Sequence, residues 1–529
     1  MEELDRPSSE FQPGGNRSAE GKVHLQDAIL LIVSPLYFLF GLWGVTVGWN
    51  NSILDRHAFR QTQTAISVEY IQQTGCTLRY ETPVLGPPWS IPFEFPLYQC
   101  LVAEVSNRTH MRLEQAGRLV SVVFFYATLI PLFLLLRDLR FSKIHACATV
   151  ALAAISPHYI FWSRTFMIES TALFFSVAYL AFFSRATKAQ SRSKVQFWTL
   201  GVLTAVCGAV AGMVKAPTVV PFLLAACSVL AWTAYKLWRE KVPLGPTVLL
   251  SLFSVAVPLG AAVWWTHFAD RVKSQNALGQ YFTSAAIRTW TFGTMTHRLE
   301  ARFYRPHVMF QNVVGNILGS PMILLLALAM VIIVSRRRIG LFVACLALYV
   351  SAIEIFFNVY QVHDYYGYAD GLFLIVAIGA AVVGSIEAGG RKSWVGVCLF
   401  VLVVYACASH FLSSYYPVQK TNFPGRPHAA EIVASETAPS DVILIFGLDW
   451  SPELPYQAHR RAIMRWTNIN SIQALTLTTT IESQRDSIGA LVACDAGRNP
   501  QWESAAFHDL RFKKIRQFSA DNCDIFLRH

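Results

Sequence analysis

The stretch "LLIVSPLYFLFGLWGVTVGWNNSILDRHAFRQTQTA" (residues 30–65) changes character partway along. Its first part belongs to an apolar run over 28–47, matching the roughly 20 helical residues that cross a bilayer. Its second part packs an Asp, two Arg, a His and two Gln into a short space. A membrane helix that opens onto such a loop sets two questions: how often the chain repeats the apolar pattern, and why ionisable side chains crowd its rim.

The repetition is extensive. Hydrophobic residues make up 53% of the 529, aromatic residues 13% and charged residues only 15%, and the mean hydropathy is +0.39. That is more apolar surface than a soluble core needs. Further spans are predicted near 116–136, 144–161, 167–184, 197–213, 216–235, 246–266, 321–335, 339–358, 370–386 and 394–412. The expected fold class is a polytopic α-helical membrane protein of about 11 transmembrane helices, followed by a small C-terminal extracytoplasmic α/β domain. Its segments are a cytoplasmic tail (1–27), a membrane domain (28–412) with outer loops 48–115 and 267–320, and the outer domain (413–529).

Orientation follows from the basic residues of the short connections, which are retained in the cytoplasm. Arg137, Arg140 and Lys143, then Arg185, Lys188, Arg192 and Lys194, then Lys236, Arg239 and Lys241, then Arg336 to Arg338, then Arg391 and Lys392 all fall on one side. The N-terminus is then inside, and loop 48–115 and the tail are outside. Much of the formal net charge of +11 lies in these inner loops, so the basic balance does not point to nucleic acid. The first two dozen residues read as a disordered tail. The first span lacks a small-residue cleavage site and is expected to be retained.

Six of the ten cysteines lie within spans, where Cys is usually a packing residue. Cys76, Cys100, Cys494 and Cys523 face the oxidising side. A 76–100 and 494–523 pairing, two other pairings, or four free thiols are all open. No CxxC or HExxH spacing suggests a metal site. No fixed repeat appears, which weakens a transporter built from duplicated bundles.

In the tail, 440–447, 486–495, 512–519 and 523–529 read as strands, and 427–436 and 468–484 as helices. "FGLDWSPELPYQAHRR" (446–461) then sits at the carboxyl end of a strand, where open α/β sheets often bind ligands. In the first outer loop, Phe59, Ile66 and Tyr70 share a helix face, and both that helix and the apolar stretch 88–105 are expected to lie along the membrane surface.

Each ionisable candidate has a structural reading by itself. Asp55 is a plausible helix N-cap, Lys215 a snorkelling lysine, and "QVHDYYGYADG" (361–371) an aromatic belt with solvated His363 and Asp364. Together they converge on one membrane face. Arg164 and Glu169 lie in "SPHYIFWSRTFMIES" (156–170), with Glu169 about a turn into a span, where charge usually faces a cavity or a partner. Loop 267–320 adds Arg288, Arg298, Arg302, Arg305 and His307. One or two carboxylates with several cations beside apolar grooves suit the transfer of a sugar from a polyprenyl phosphate. That reaction needs a base for the acceptor hydroxyl and cations for the departing phosphate.

Asp55-Arg56-His57 followed by Arg60-Gln61-Thr62, "FEFPLYQ" (93–99) with Glu94, "SRTFMIES" (163–170) and "HDYYG" (363–367) resemble the C-type (GT-C) membrane glycosyltransferases. The resemblance is to the bacterial relatives of protein O-mannosyltransferases and of the lipid A aminoarabinose transferase, over about residues 25–415. It implies a catalytic Asp in the first outer loop, here Asp55, and a second acidic residue in the next, here Glu169. The mannosyltransferases have adjacent Asp and Glu where this chain has Asp55-Arg56, which puts a protein acceptor in doubt. The resemblance implies a polyprenyl-phosphate-linked sugar as donor, an inverting reaction, a glycan, lipid or protein acceptor, and a bacterial inner membrane. No cofactor is otherwise implied, and a divalent metal is left open, since the polar turns lack a convincing carboxylate cage. On this reading Arg60, Lys215, Arg298 and Arg302 hold the donor phosphate. Arg56, His57, Glu94, Arg164, His363, Asp364 and Tyr365 position the substrates. The rival readings are a transporter or lipid flippase, and a structural subunit of an envelope complex.

Overall fold

The computed structural model describes residues 25–189, 193–299, 313–498, 510 and 515–528. Among them, seven helices are long and apolar enough to cross a bilayer. Three shorter apolar helices, Lys143–Ile155, Met322–Ile333 and Ile339–Ile355, pack with them.

The first span, α1 (Leu25–Thr46), ends in the polar turn that carries Asp55. It lies tightly on a later helix: a Cβ added at Gly41 would stand 2.2 Å from the carbonyl oxygen of Ala154, so only glycine allows this approach. The outer loop then builds α2 (Ala58–Thr74) and α3 (Leu97–Thr109) before the chain re-enters the bundle as α4 (Leu113–Asp138).

The single span expected over 144–161 is two helices, α5 (Lys143–Ile155) and α6 (Pro157–Trp162). Proline disfavours the helical conformation in the residue before it. Ser156 accordingly sits at φ −54°, ψ 126° and gives its hydroxyl to the carbonyl of Ile317 at 2.7 Å. This break delivers Trp162 and Arg164 to one end of the bundle. There follow α7 (Glu169–Ala189), α8 (Lys194–Val214), α9 (Ala216–Arg239) and a continuous helix over Gly245–Lys273. The helix Gly367–Ile386 is buried along almost its whole length, as the central post of the bundle.

After the last membrane helix the chain forms a five-stranded sheet in the order β2-β1-β3-β5-β4. β1 (Val442–Phe446) runs parallel to β2 (Arg461–Met464) and to β3 (Ile488–Cys494). β5 (Cys523–Arg528) is antiparallel to β3 and to β4 (Ile515–Ala520). The sequence reading has no strand at β2, whose four residues are too short to show a period. The expected helices 427–436 and 468–484 are observed as Pro427–Glu436 and Ser471–Gln484. Of the open cysteine pairings the fold has Cys76–Cys100 and Cys494–Cys523.

The outer loop and the sheet share one core. An exposed strand edge invites pairing with other chains, and here the β2 edge is closed by outer-loop residues. Ala462 donates to the carbonyl of Pro83 at 2.9 Å, Met464 to Val84 at 3.2 Å, and Gly86 to Ala462 at 3.3 Å. Arg461 pairs with Glu81 at 2.7 Å while its guanidinium lies over the rings of Tyr70 and Trp89. Tyr456 reaches Glu114, and His459 meets Glu69 at 2.6 Å. Covered this way, α2 buries even Gln61, Thr62, Gln63, Thr64 and Ser67. It is a wedge between the bundle and the sheet rather than the expected one-faced helix along the membrane surface. The stretch 88–105 likewise feeds α3, which packs on α2 and α4.

The His459–Glu69 contact carries a pH signature. The hydrogen bond to Glu69 raises the imidazole above its ordinary value of 6.5, against the opposing effect of burial. Stability from a raised group is complete below the unfolded value and is lost as pH rises through the folded one. The melting-temperature gap between wild type and His459→Gln should therefore be largest in mild acid and close on the alkaline side. A gap that widens with rising pH would refute this.

Candidate active site at the membrane rim

Three groups of charged side chains meet where α2, α7, the turn after α8 and the helix Gly367–Ile386 come together. In the first, Asp55 is held from two sides: Gln61 donates to Oδ1, and Arg164 faces Oδ2 at 3.6 Å. The Asp55 side chain is only 6% exposed and that of Arg164 only 1%. Asp55 is not the expected N-cap. That position belongs to His57 in a left-handed conformation, φ 53°, with no side-chain cap bond. The chain reverses there, so Asp55 points toward Arg164 while Arg56 and His57 point the other way.

Gln61 joins two loops: besides donating to Asp55, it accepts from the backbone N–H of Phe166 at 2.9 Å. Arg164 also donates to the carbonyl of Gly48 at 3.0 Å. Arg118, on α4, donates to the carbonyls of Trp49, Asn51 and Ser52 at 2.9, 2.6 and 2.8 Å. From the opposite side, Asn51 donates to the carbonyl of Gln419 and Ser52 to the side chain of Asn422. The loop leading to Asp55 is thus clamped between α4 and the end of the last membrane helix.

The second group holds two cation–carboxylate pairs. Arg60 binds Glu94 and, at 2.7 Å, Gln63; Glu94 also accepts from Gln99 at 3.3 Å. Lys215 donates to Oε2 of Glu169 at 2.7 Å, and its ammonium lies 4.1 Å from the ring centre of Tyr366 and 5.0 Å from that of Tyr365. Oε1 of Glu169 is buried with no hydrogen-bond partner among the described residues. Burial disfavours the charge on Arg60, but Glu94 with Tyr365 and Glu169 together outweigh it, and the guanidinium is held above its ordinary value. For Lys215 burial prevails, and the ammonium is pulled below its ordinary 10.5 against the attraction of Glu169.

In the third group Asp364 accepts from His57 at 2.9 Å and faces Arg56 at 3.5 Å. Arg56 lies over the rings of Tyr415 and Phe161. His363 stacks on Tyr365 and Tyr366. Burial, with His57, Lys215 and Arg60 close by, pushes it down to about 3, so it is a neutral imidazole at physiological pH.

The structure thus brings together Asp55, Arg56, His57, Arg60, Glu94, Arg164, Glu169, Lys215, His363, Asp364 and Tyr365 from separate stretches of chain. Arg298 stands apart. Its guanidinium caps the end of Ile339–Ile355, donating to the carbonyls of Glu354 and Ile355 and facing the Glu354 carboxylate at 3.6 Å. Arg302, Arg305 and His307 lie outside the described residues. Arg118 and the bridging role of Gln61 escaped the sequence reading. For Arg118 a signal existed, an arginine at the start of an apolar run, where charge demands a partner. Gln61 offered none beyond its place in the motif. The loop after β1 starts tightly packed. Gly447, at φ +91°, packs so closely that a Cβ would fall 1.8 Å from the carbonyl oxygen of Cys494. Among the described residues, no three His, Cys, Asp or Glu side chains converge as a metal ion would require.

Residues 106–273 match the family of dolichyl-phosphate-mannose-protein mannosyltransferases. No curated protein sequence matches the chain. Among solved structures, the apo form of ArnT from Cupriavidus metallidurans is similar at 13% identity and a TM-score of 0.60, over 95% of this chain and 98% of that one. The same protein has been solved bound to undecaprenyl phosphate. The oligosaccharyltransferase of Archaeoglobus fulgidus is similar at 11% identity and a TM-score of 0.59, over 96% of this chain and 75% of that one. A mycobacterial arabinofuranosyltransferase, AftD, gives 12% identity and a TM-score of 0.52, over 95% of this chain but 40% of that one. The class is therefore that of polytopic membrane proteins with a small C-terminal sheet domain. Within it, the chain has the fold of the GT-C membrane glycosyltransferases.

The clamp makes a direct prediction. Arg118→Ala leaves three half-buried carbonyls without their donor, at a cost of about 1 kcal/mol or more. Limited proteolysis should then cut within 48–55 in a protein whose bundle still melts cooperatively. Resistance equal to wild type would show that the clamp is dispensable.

Proposed function

We propose that the chain is a membrane glycosyltransferase that moves a sugar from a polyprenyl-phosphate donor to an extracytoplasmic acceptor. The observation that carries this reading is the pairing of Arg60 and Lys215 with Glu94 and Glu169 at the junction of bundle and sheet, with Asp55 five residues before Arg60 in the chain. Two buried cations held ready by carboxylates are what a departing phosphate dianion requires. The fold relatives support the donor class: one has been solved with undecaprenyl phosphate and another with a dolichol-phosphate.

In the reaction we propose, the acceptor oxygen attacks the anomeric carbon as the bond to the phosphate oxygen breaks. Polyprenyl phosphate leaves with the electron pair, the anomeric centre inverts, and Asp55 takes the acceptor proton. Gln61 and Arg164 orient that carboxylate. Arg60 and Lys215 shift from their carboxylate partners toward the phosphate as its charge grows. The Arg56–His57–Asp364 group and neutral His363 line the sugar side. The basic inner loops support a cytoplasmic N-terminus and an outward-facing site in the plasma membrane of a bacterium. The acceptor is a glycan, glycolipid or protein of the envelope. One observation favours a second assignment of the base: both Asp55 oxygens face a partner, while Oε1 of Glu169 has none among the described residues.

The test is transfer of radiolabel from a panel of polyprenyl-phosphate sugars to envelope extracts by the purified protein. Asp55→Asn should lower turnover by about 100-fold or more in a folded protein that still binds undecaprenyl phosphate. If Glu169→Gln does so instead and Asp55→Asn does not, the base is Glu169. No donor consumption by folded wild type over the whole panel would overturn the reading.

Lys215 adds a pH limb. Because its ammonium is held below 10.5, affinity for undecaprenyl phosphate should fall in moderately alkaline solution, and Lys215→Arg should move that fall upward. An unchanged alkaline limb would remove Lys215 from phosphate binding.

A further inference from the structure

The sheet meets the site through a cluster of half-buried aromatic rings with Trp450 at its centre. Trp450 lies in the loop that leaves β1, where Asp449, at φ 55°, accepts from the backbone N–H of Thr467 at 3.0 Å and ties that loop to the one after β2. The indole meets Phe59 edge-on at 4.6 Å, stacks on Phe93 at 5.5 Å and an interplanar angle of 25°, and touches Phe282 at 4.9 Å. Phe59 and Phe93 come from different parts of the outer loop, and each immediately precedes one member of the Arg60–Glu94 pair. One side chain of the outer sheet thus bears on both halves of that pair through their chain neighbours. Phe93 has a charged neighbour as well. Lys273 holds its ammonium 5.6 Å from the ring centre and donates to the carbonyl of Phe282 at 2.9 Å.

We infer that Trp450 is a positioning residue for Arg60. By wedging against Phe59 and Phe93 it fixes the separation and direction of the Arg60–Glu94 pair, and so the affinity of the site for the phosphate of the donor. The inference rests on the proposed role of Arg60 as a phosphate ligand. It gives the outer sheet a part in donor binding, whereas a sheet that only guides the acceptor would leave donor affinity alone.

A neighbouring residue supplies the control. Trp466, in the loop after β2, packs in the same seam but on Tyr281 and Phe282, at 5.9 and 5.7 Å, where Trp450 takes Phe59 and Phe93. Removing Trp466 loosens the junction of sheet and loop but leaves the direct contacts of Trp450 with Phe59 and Phe93 in place, its one link to them running through Phe282, 6.4 Å from Phe93.

The test measures binding of undecaprenyl phosphate to the purified full-length chain in detergent, with melting temperature alongside, for Trp450→Ala, Trp450→Phe, Trp466→Ala and Arg60→Gln. Trp450→Ala should weaken binding about tenfold or more, as expected when a binding group is displaced by part of an ångström. Trp450→Phe should recover most of that loss, and Trp466→Ala should leave the affinity at the wild-type level even where it lowers the melting temperature as much. Equal losses from Trp450→Ala and Trp466→Ala would make the cluster a mere dock and overturn the inference. So would a wild-type affinity in Trp450→Ala while Arg60→Gln binds weakly. If Arg60→Gln itself binds as wild type, the phosphate role of Arg60 fails first and the inference falls with it. Should Trp450→Ala not fold, Trp450→Phe and Phe59→Leu decide. Both should then weaken binding measurably, Phe59→Leu the more because it removes a ring altogether, and wild-type affinity in both would overturn the inference.

Discussion

A guanidinium buried at a membrane boundary must find acceptors or pay a desolvation cost of several kcal/mol, and Arg118 finds three on one turn of chain. Its fork onto the carbonyls of Trp49, Asn51 and Ser52 fixes where the first outer loop starts. The following turn through left-handed His57 then sends Asp55 to Arg164 and Gln61, and Arg56 and His57 to Asp364. Because Gln61 also binds the backbone of Phe166, the loop before α7 is set by the same anchor, and with it Glu169. One buried charge on α4, bonded through both terminal nitrogens of its guanidinium, therefore orders the two carboxylates on which the proposed chemistry rests.

The rest of the site follows the same rule of paired charges. Arg60 with Glu94, Lys215 with Glu169 and Arg56 with Asp364 each keep a cation in a low-dielectric setting by supplying its counter-charge. Breaking a buried pair from one side is costly. A phosphate that takes over part of the pairing replaces one anion with another and leaves no cation bare. At Oε1 of Glu169, which has no hydrogen-bond partner among the described residues, the pairing is incomplete.

The outer sheet belongs to this arrangement rather than standing beside it. Its β2 edge is closed by residues of the outer loop, its apolar face is completed by α2 and α3, and its loops press aromatic rings against the neighbours of Arg60 and Glu94. That explains why α2 buries a run of Gln, Thr and Ser whose amphipathic pattern is weak. Its environment is protein on several sides, so the expectation of one wet and one lipid-facing side does not hold.

Much of this was legible in the chain. The apolar runs announce membrane helices because hydrophobic length is a local property that a bilayer reads directly. The strands at β1, β3 and β5 show themselves as short apolar runs between turns, whereas β2 is too short to do so. Asp55, Glu169, Lys215 and the 363–365 turn stand out because charge beside a span is expensive. Asp55 looked like a cap, however, because a carboxylate just before a helix usually is one, and nothing local shows Arg164 more than a hundred residues away. Arg298 looked like a phosphate ligand, yet a helix end nearby in space claims its donors. The sequence by itself determined the membrane helices, the outer sheet and the kinds of side chain at the rim, all set by neighbours within a few residues. Only the tertiary structure decided which charge pairs with which, that Pro157 splits a span to present Arg164, and that Trp450 lies beside the Arg60–Glu94 pair. Those outcomes depend on contacts between residues far apart in the chain, where packing and desolvation rather than local pattern choose the partner.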